Sequence, residues 1–307
     1  MKRLFALLLC AAMLLSLAAC GGSDAPEATN ATASATIPAT QPTDAPTQAP
    51  TEPPVVRVPM GETVLVDNDS VTFKIVKAED SEHLGMQLRV QCVNKTDRAL
   101  LFSWDMVSVC GFMYDPFWAE EVAAGKSANA TVDLDTYALE DLGITSVDEI
   151  TFTLRIVDSE NWMEKPIVEE AFTIYPTGLS AETLVLPQRA VTDGQVVIAD
   201  NDDIRFVIEG TQDTSSYTLH VYMENKTGRN LMYAWDKVSV NGYMIDPFWA
   251  MSVAAGKRAC AEISFYRSDL EENGITAVSE IEFTLQVSDY DNWDVPNLLE
   301  ETYTYNP

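Results

Sequence analysis

Positive charge is scarce in this sequence. Its 307 residues include 19 Lys and Arg against 47 Asp and Glu, which gives a formal net charge of −28. Nucleic acids and anionic lipid headgroups bind basic surfaces, so both make poor partners for this chain. The acidity suits solubility, and cations or basic proteins are the partners that charge would favour.

Histidine is scarcer still. The two histidines, His83 and His220, are not equivalent in the internal repeat described below, and no Ser-His-acid or Cys-His constellation recurs. Zinc sites need His or Cys at ligand spacing, and that spacing is missing from the sequence. The sequence therefore predicts neither an enzyme nor a bound cofactor.

Long apolar runs are also missing, except at the N-terminus. Residues 4–17 are apolar and follow Lys2 and Arg3, but they are too few to span a bilayer and are typical of a signal peptide. The run ends in Leu-Ala-Ala-Cys, which resembles the lipobox of bacterial lipoproteins. The resemblance implies that residues 1–20 form a lipoprotein signal and that Cys20 carries a diacylglyceryl group, which anchors the chain stably to a membrane.

Residues 21–54 contain almost no large apolar side chain. The segment is rich in Ala, Thr and Pro and cannot bury a core. It therefore predicts a disordered tether between the lipid anchor and the folded part of the chain.

Cysteine is too sparse for a disulfide framework. Cys10 leaves with the signal peptide and Cys20 is predicted to be lipidated, so Cys92, Cys110 and Cys260 remain, an odd number. None of the three recurs between the two halves of the chain, so no conserved position for a bridge is predicted. Alternation with its apolar neighbours predicts that Cys92 lies in the core.

What the sequence does contain is an internal repeat. Residues 115–126 read DPFWAEEVAAGK, and residues 246–257 read DPFWAMSVAAGK. The period is longer than that of short solenoid repeats and suits whole domains. We expect one domain over residues 55–177 and a second over residues 178–307.

Apolar and polar residues alternate within each half. Residues 86–92, 150–156 and 281–287 all show this period of two, which predicts half-buried antiparallel strands. Asn241 and Gly242 predict a two-residue hairpin. About seven or eight strands per half, with turns between them, predict an all-β fold of two tandem immunoglobulin-like sandwiches.

One short helical turn interrupts the strands in each half. In the second half, Ser268 and Glu271 form a capping-box pattern ahead of Gly274. The first half keeps the equivalent Gly143 but lacks the box, so its turn is predicted to be weaker.

Four stretches of the second half carry a resemblance to a known group of domains: NKT at 225–227, VSVNGY at 238–243, VAAGK at 253–257 and LEENGI at 270–275. They resemble the immunoglobulin-like extracellular domains of Firmicutes surface lipoproteins, and the first half matches less well at Cys110 and Tyr137. The resemblance implies a lipid-anchored protein on the extracellular face of a Gram-positive cell membrane. The resemblance implies no activity, ligand or site residue.

The repeated DPFW has two interpretations. Asp-Pro cannot continue a strand ladder, and the aromatic pair that follows can either pin a strand crossing in the core or form a platform for sugar rings or a partner's side chain. We favour the core scaffold, with Phe117 and Trp118 both buried. Under the platform interpretation, Trp118 and Trp249 are candidate binding residues.

Trp162 and Trp293 each follow an acidic, polar stretch, so we expect this tryptophan pair to lie in loops. If any tryptophan pair binds a ligand, we expect it to be this one. Glycan binding requires exposed tryptophans, whereas protein binding does not.

Two Asp-Asn-Asp stretches are candidate calcium sites, since carboxylates are ligands that calcium prefers. Their carboxylates belong to Asp67 and Asp69 in the first half and to Asp200 and Asp202 in the second. Turns rich in Asp and Asn form without a metal as well, so both interpretations stay open.

Together these features favour a non-catalytic binding or structural role at the cell envelope. The expected partner is an extracellular protein, bound through strand edges or loops. The alternatives are a carbohydrate or cell-wall polymer bound through aromatic loops, and a surface spacer stiffened by calcium.

Overall fold

A computed structural model describes residues 57–81, 85–186, 189 and 193–307. The predicted signal peptide, the lipidation at Cys20 and the predicted tether lie outside the described residues, as does His83. The domain boundaries expected from the repeat stay predictions.

The first repeat contains, among the described residues, nine strands and one helix. They are β1 (Thr63–Asp67), β2 (Val71–Ser81), β3 (Gly85–Asn94), β4 (Leu100–Val109), β5 (Phe112–Met113), β6 (Ala119–Val122), β7 (Ser127–Leu134), α1 (Thr136–Asp141), β8 (Ile150–Asp158) and β9 (Val168–Ile174).

The second repeat has the same elements in the same order. They are β10 (Val196–Asp200), β11 (Ile204–Asp213), β12 (Ser216–Asn225), β13 (Leu231–Val240), β14 (Tyr243–Met244), β15 (Ala250–Val253), β16 (Arg258–Tyr266), α2 (Arg267–Glu272), β17 (Ile281–Asp289) and β18 (Leu299–Tyr305). The predicted all-β sandwich fold, with one short helix in each repeat, is confirmed.

Each repeat folds into two antiparallel sheets. In the first repeat the strand orders are β1-β2-β3-β7 and β5-β4-β8-β9, with β6 also paired to β4. In the second repeat they are β10-β11-β12-β16 and β14-β13-β17-β18, with β15 also paired to β13. In addition, β16 pairs in parallel with β5, which joins a sheet of the second repeat to a sheet of the first.

An aromatic stack lies at the centre of each core. Trp104 stacks on Phe152 with 3.8 Å between their ring centroids, and Trp235 stacks on Phe283 with 3.7 Å. The predicted alternation explains this arrangement, because every second residue of β8 and β17 points between the two sheets. Cys92 is fully buried in the first core, as predicted.

The repeated Asn-Lys-Thr stretch forms a structural corner after β3 and after β12. The amide nitrogen of the buried Asn94 donates to the carbonyl oxygens of Arg98 at 2.7 Å and Val122 at 2.8 Å, and its oxygen accepts from the Thr96 backbone nitrogen at 2.9 Å. Asn225 makes the equivalent bonds in the second repeat. A buried amide that is fully bonded fixes the loop geometry and explains why the stretch recurs.

The Asn-Gly hairpin forms as predicted. Asn241 and Gly242 have φ angles of 50° and 82°, and Val240 pairs with Tyr243. Both residues therefore have the left-handed backbone conformation that this type of turn requires. In the first repeat Cys110 and Gly111 form the same turn, with φ angles of 48° and 85°.

The prediction for the two helices was wrong in its details. Helix α2 has Tyr266 at its N-cap without a side-chain cap bond, because β16 runs directly into the helix and leaves Ser268 inside the first turn. Helix α1, predicted to be the weaker one, is capped by Asp135, whose Oδ1 accepts from the Ala138 backbone nitrogen at 3.0 Å. The capping box of the second repeat does not form.

Candidate functional site

The two DPFW stretches turn one aromatic side chain inward and the other outward. The Oδ1 atom of Asp115 accepts from the Phe117 backbone nitrogen at 2.7 Å, and Asp246 does the same for Phe248. Each phenylalanine has a left-handed backbone conformation, with φ angles of 49° and 50°. The chain therefore bends there, and the side chains do not alternate between two faces as they would in a strand. As a result Phe117 is 91% exposed and Phe248 is 90% exposed.

Tryptophan is the inward side chain of each stretch. Trp118 is buried, with its ring centroid 5.8 Å from that of Trp104, and Trp249 is half-buried at 6.2 Å from Trp235. The expectation that both aromatic residues of the first stretch lie in the core was therefore wrong for Phe117, because the left-handed bend separates it from Trp118. The DPFW stretch is at once a scaffold and an exposed aromatic surface.

Trp162 and Trp293 lie in exposed loops that follow β8 and β17. Trp162 is 59% exposed and Trp293 is 70% exposed. Each loop is fixed at its base, where Asp158 accepts from the backbone nitrogens of Glu160 and Asn161 and Asp289 makes the equivalent bonds in the second repeat. The indole surfaces are accessible, and their role in binding stays a prediction.

The Asp-Asn-Asp turns hold lysine side chains. The Asp67 carboxylate accepts from the Lys95 ammonium at 2.7 Å, and Asp200 accepts from Lys226 at 2.6 Å. These bonds lower the pKa of both carboxyls. Asp69 and Asp202 are exposed beside them, so the geometry gives the turns a structural role, and calcium binding there stays a prediction.

Two features are missing from the described residues, a cluster of metal ligands and a membrane-spanning helix. Among these residues, no group of three or more His, Cys, Asp or Glu side chains is arranged to hold a metal ion. In the same part of the chain, neither helix is long and apolar enough to cross a bilayer.

Thiol chemistry is suppressed by burial. Among the described residues Cys92, Cys110 and Cys260 are free thiols. Burial raises the pKa of Cys92 to about 12 and that of Cys260 to about 11, and it also raises the pKa of Cys110. The thiolate is the reactive form, so these side chains are poor nucleophiles at neutral pH.

The two repeats meet at an edge that we call the covered edge, made of residues 111–113 and Glu149. The Arg258 backbone nitrogen donates to the Gly111 carbonyl at 3.0 Å, and the Arg258 guanidinium lies 4.4 Å from the centre of the Phe112 ring. The Lys257 ammonium lies 3.0 Å from a carboxylate oxygen of Glu149, with both side chains largely buried. The described strands of both repeats belong to one compact unit.

No described residue covers the equivalent edge of the second repeat in this way. This bare edge consists of residues 242–244 and Glu280. Tyr243 is 51% exposed, whereas its counterpart Phe112 is only 1% exposed. Glu280 is exposed whereas Glu149 is buried. Among the described residues, β14 pairs only with β13.

A shallow groove of about 330 Å³ opens beside the covered edge. Three of its charged side chains already have partners within the protein. Lys257 pairs with Glu149, Lys226 pairs with Asp200, and Glu224 accepts from the Tyr222 hydroxyl. The groove is therefore part of the junction between the repeats, and the sites of interest are the exposed aromatic residues and the bare edge.

Sequence reasoning missed the phenylalanine pair and both edges. The signal for the phenylalanines was the Asp-Pro-Phe spacing itself, because an aspartate two residues before a backbone nitrogen can hold a turn. No signal distinguished the covered edge from the bare one, since both contain a Gly-aromatic-Met stretch.

Comparisons with known proteins leave the family open. No family model matches the chain, and no curated protein matches it. Among solved structures it is similar to the exo-chitosanase CsxA of Amycolatopsis orientalis, at 13% identity and a TM-score of 0.19, over 75% of this chain and 26% of that one. Two variants of Bacillus subtilis oxalate decarboxylase OxdC align at 10% and 9% identity with TM-scores of 0.10 and 0.09, each over 78% of this chain and 80% of the other. This chain spans about a quarter of the chitosanase, and likenesses at these scores carry no argument about function.

Proposed function

We propose that the protein is a non-catalytic binding protein of the cell envelope, anchored through a lipid on Cys20 and extending outside the membrane, and that its partner is an extracellular protein. The observation that carries the proposal is the exposed phenylalanine in each repeat, Phe117 and Phe248. The lipid anchor and the location rest on the N-terminal sequence.

An exposed phenylalanine with a left-handed backbone is unfavourable for folding. The left-handed conformation costs a non-glycine residue about 1–2 kcal/mol, and the exposed ring gains nothing from burial. Both repeats nevertheless keep the same turn with the same 2.7 Å hydrogen bond from Phe117 or Phe248 to the preceding aspartate. Strain that recurs at an exposed aromatic residue is typical of a functional surface.

The chemistry of the side chain favours a protein partner. Phenylalanine has no hydrogen-bonding group, so it suits an apolar pocket, and aromatic anchors in such pockets contribute most of the binding energy in many protein interfaces. The net charge of −28 favours a partner whose pocket is rimmed by basic residues. The even distribution of the two sites over the repeats also allows two contacts with one partner.

Site-specific photo-crosslinking tests this proposal. A photoreactive phenylalanine analogue would replace Phe117, Phe248 or, as a control, Tyr137, which is exposed but belongs to α1 and not to a DPFW stretch. On the surface of cells that produce the protein, we expect discrete protease-sensitive adducts from the first two positions. Equal adducts from Tyr137, or none from either phenylalanine position, would contradict protein binding at these residues.

The exposed tryptophans support a second candidate, carbohydrate binding. Trp162 and Trp293 present indole faces to solvent from loops fixed at their base, and such faces stack on sugar rings. If this candidate is correct, the double substitution Trp162→Ala with Trp293→Ala should weaken sedimentation with purified cell-wall polysaccharide about tenfold, the loss expected for aromatic stacking contacts. The matched variant Phe117→Ala with Phe248→Ala should sediment like the unmodified protein.

A further inference from the structure

We propose that the bare edge of the second repeat is a docking site for an extended, basic strand of a partner protein. The edge comprises β14, with Tyr243 and Met244, and the neighbouring Glu280. This inference rests on the proposed protein-binding function and names a second surface and the chemistry of what binds there.

The covered edge of the first repeat shows what such an edge binds. A segment of the second repeat lies along it in parallel, with Arg258 paired to Phe112. The backbone of Arg258 bonds to Gly111, its guanidinium lies over the Phe112 ring, and the preceding Lys257 pairs with Glu149. One strand with two adjacent basic residues therefore satisfies the backbone, the aromatic ring and the carboxylate together.

The bare edge repeats these features, and no other described strand pairs with β14 along it. A β-carbon on Gly111 would lie 3.2 Å from the Arg258 guanidinium, whereas one on Gly242 would meet nothing within 4 Å. Met244 is 70% exposed, whereas the Met113 sulfur accepts from the Ala254 backbone nitrogen at 3.3 Å. An unpaired strand edge beside an exposed aromatic ring and a carboxylate is a ready template for strand addition.

A second copy of this chain fits the bare edge poorly. The first repeat would have to present the stretch equivalent to Lys257 and Arg258, and there it has Lys126 followed by Ser127, so the guanidinium is missing. The face beside that stretch is also polar, because Gln91 and Asn129 stand where the second repeat has Tyr222 and Cys260. The Gln91 side chain donates a hydrogen bond of 3.1 Å to that of Asn129. The occupant is therefore assigned to a different protein with a basic edge strand.

A peptide copied from the covered junction is a direct probe. It has the sequence of residues 253–262, VAAGKRACAE, with Cys260→Ser to prevent oxidation. Binding would be followed by NMR on the protein labelled at its methionine methyl groups. The Met244 signal should shift with added peptide, and the Met113 signal should stay in place because its edge is already covered.

Variants of both molecules define the site. We expect Tyr243→Asp in the protein to weaken binding about tenfold or more, and Glu280→Gln to weaken it several-fold because the ion pair is lost. Reversing both peptide charges, with Lys257→Glu and Arg258→Glu, should abolish the shift. The exposed control Tyr137→Asp should leave binding unchanged.

Three results would overturn the inference. They are the absence of a Met244 shift at millimolar peptide, a shift that survives Tyr243→Asp, and concentration-dependent self-association of the protein that Tyr243→Asp removes, which would make a second copy the occupant. Crosslinking at Phe248 together with a silent Met244 signal would refute this inference alone and leave the proposed function standing.

Discussion

The covered edge and the bare edge have nearly the same local structure and opposite surroundings. Phe112 and Tyr243 follow the same left-handed turn and begin equivalent short strands, yet the first is fully buried and the second is half exposed. Glu149 and Glu280 differ in the same way. The sequence of each repeat therefore determines the geometry of its edge, whereas contact with the neighbouring repeat determines whether that edge is buried or exposed.

The Asn-Lys-Thr corner, in contrast, has the same structure and surroundings in both repeats. Asn94 and Asn225 make the same bonds in both repeats because every partner lies within the repeat. Features that depend only on local sequence are therefore duplicated, and features that depend on the tandem arrangement are not.

The largest expected effect comes from removing the aromatic ring at each edge. Phe112→Ala should lower the free energy of unfolding by about 3–5 kcal/mol, because it opens a cavity under the Arg258 guanidinium. Tyr243→Ala should change it by less than about 1 kcal/mol, because the ring is half exposed. Urea unfolding of the two variants measures both values. Equal losses would mean that the bare edge is covered in solution, and the comparison would fail.

A second difference between the repeats is an acid-sensitive ion pair, which lies beside the covered edge of the first repeat. Arg57 donates two hydrogen bonds of 2.9 Å to Asp148, and they are the main reason that the pKa of this carboxyl falls from 3.8 to about 2. The second repeat has Ser279 at the equivalent place, where its hydroxyl donates to Asn241 at 3.0 Å. Only the first repeat therefore carries a titrating group at this position.

The lowered pKa predicts the sign of the pH dependence. Because the folded protein holds Asp148 ionised, this group contributes roughly 2 kcal/mol above about pH 4, and the contribution is lost as the pH falls toward 2. Asp148→Asn should thus be less stable than the parent protein at pH 6, with a difference that shrinks steadily between pH 4 and pH 2. Ser279→Ala should show a smaller difference that does not change with pH. If urea unfolding shows the same difference in stability between Asp148→Asn and the parent protein at every pH, the ion pair is not the cause of that difference.

The sequence predicted the fold class, the duplicated strands, the Asn-Gly hairpin and the loop position of Trp162 and Trp293, because alternation and turn residues act locally. It missed the outward phenylalanines, since the left-handed φ at Phe117 depends on one hydrogen bond that composition does not reveal. It also missed the covered edge, because the partners of Phe112 lie far along the chain. Non-local packing of this kind has no periodic signature.

The smallest expected effect concerns the two helices, where the repeats differ in the direction opposite to the sequence-based expectation. Asp135 caps α1 through its bond with the Ala138 backbone nitrogen, whereas Tyr266 leaves α2 uncapped by any side chain. Asp135→Ala should therefore destabilise the protein by about 1 kcal/mol, and Tyr266→Asp should stabilise it by about 0.5–1 kcal/mol, because aspartate is among the best N-cap residues. Thermal unfolding at neutral pH measures both shifts, and Tyr266→Ala provides the control for loss of the exposed ring. If Tyr266→Asp gains nothing over Tyr266→Ala, the extended backbone at the end of β16 does not accept a side-chain cap, and the absence of one in the second repeat is imposed by the strand that precedes it.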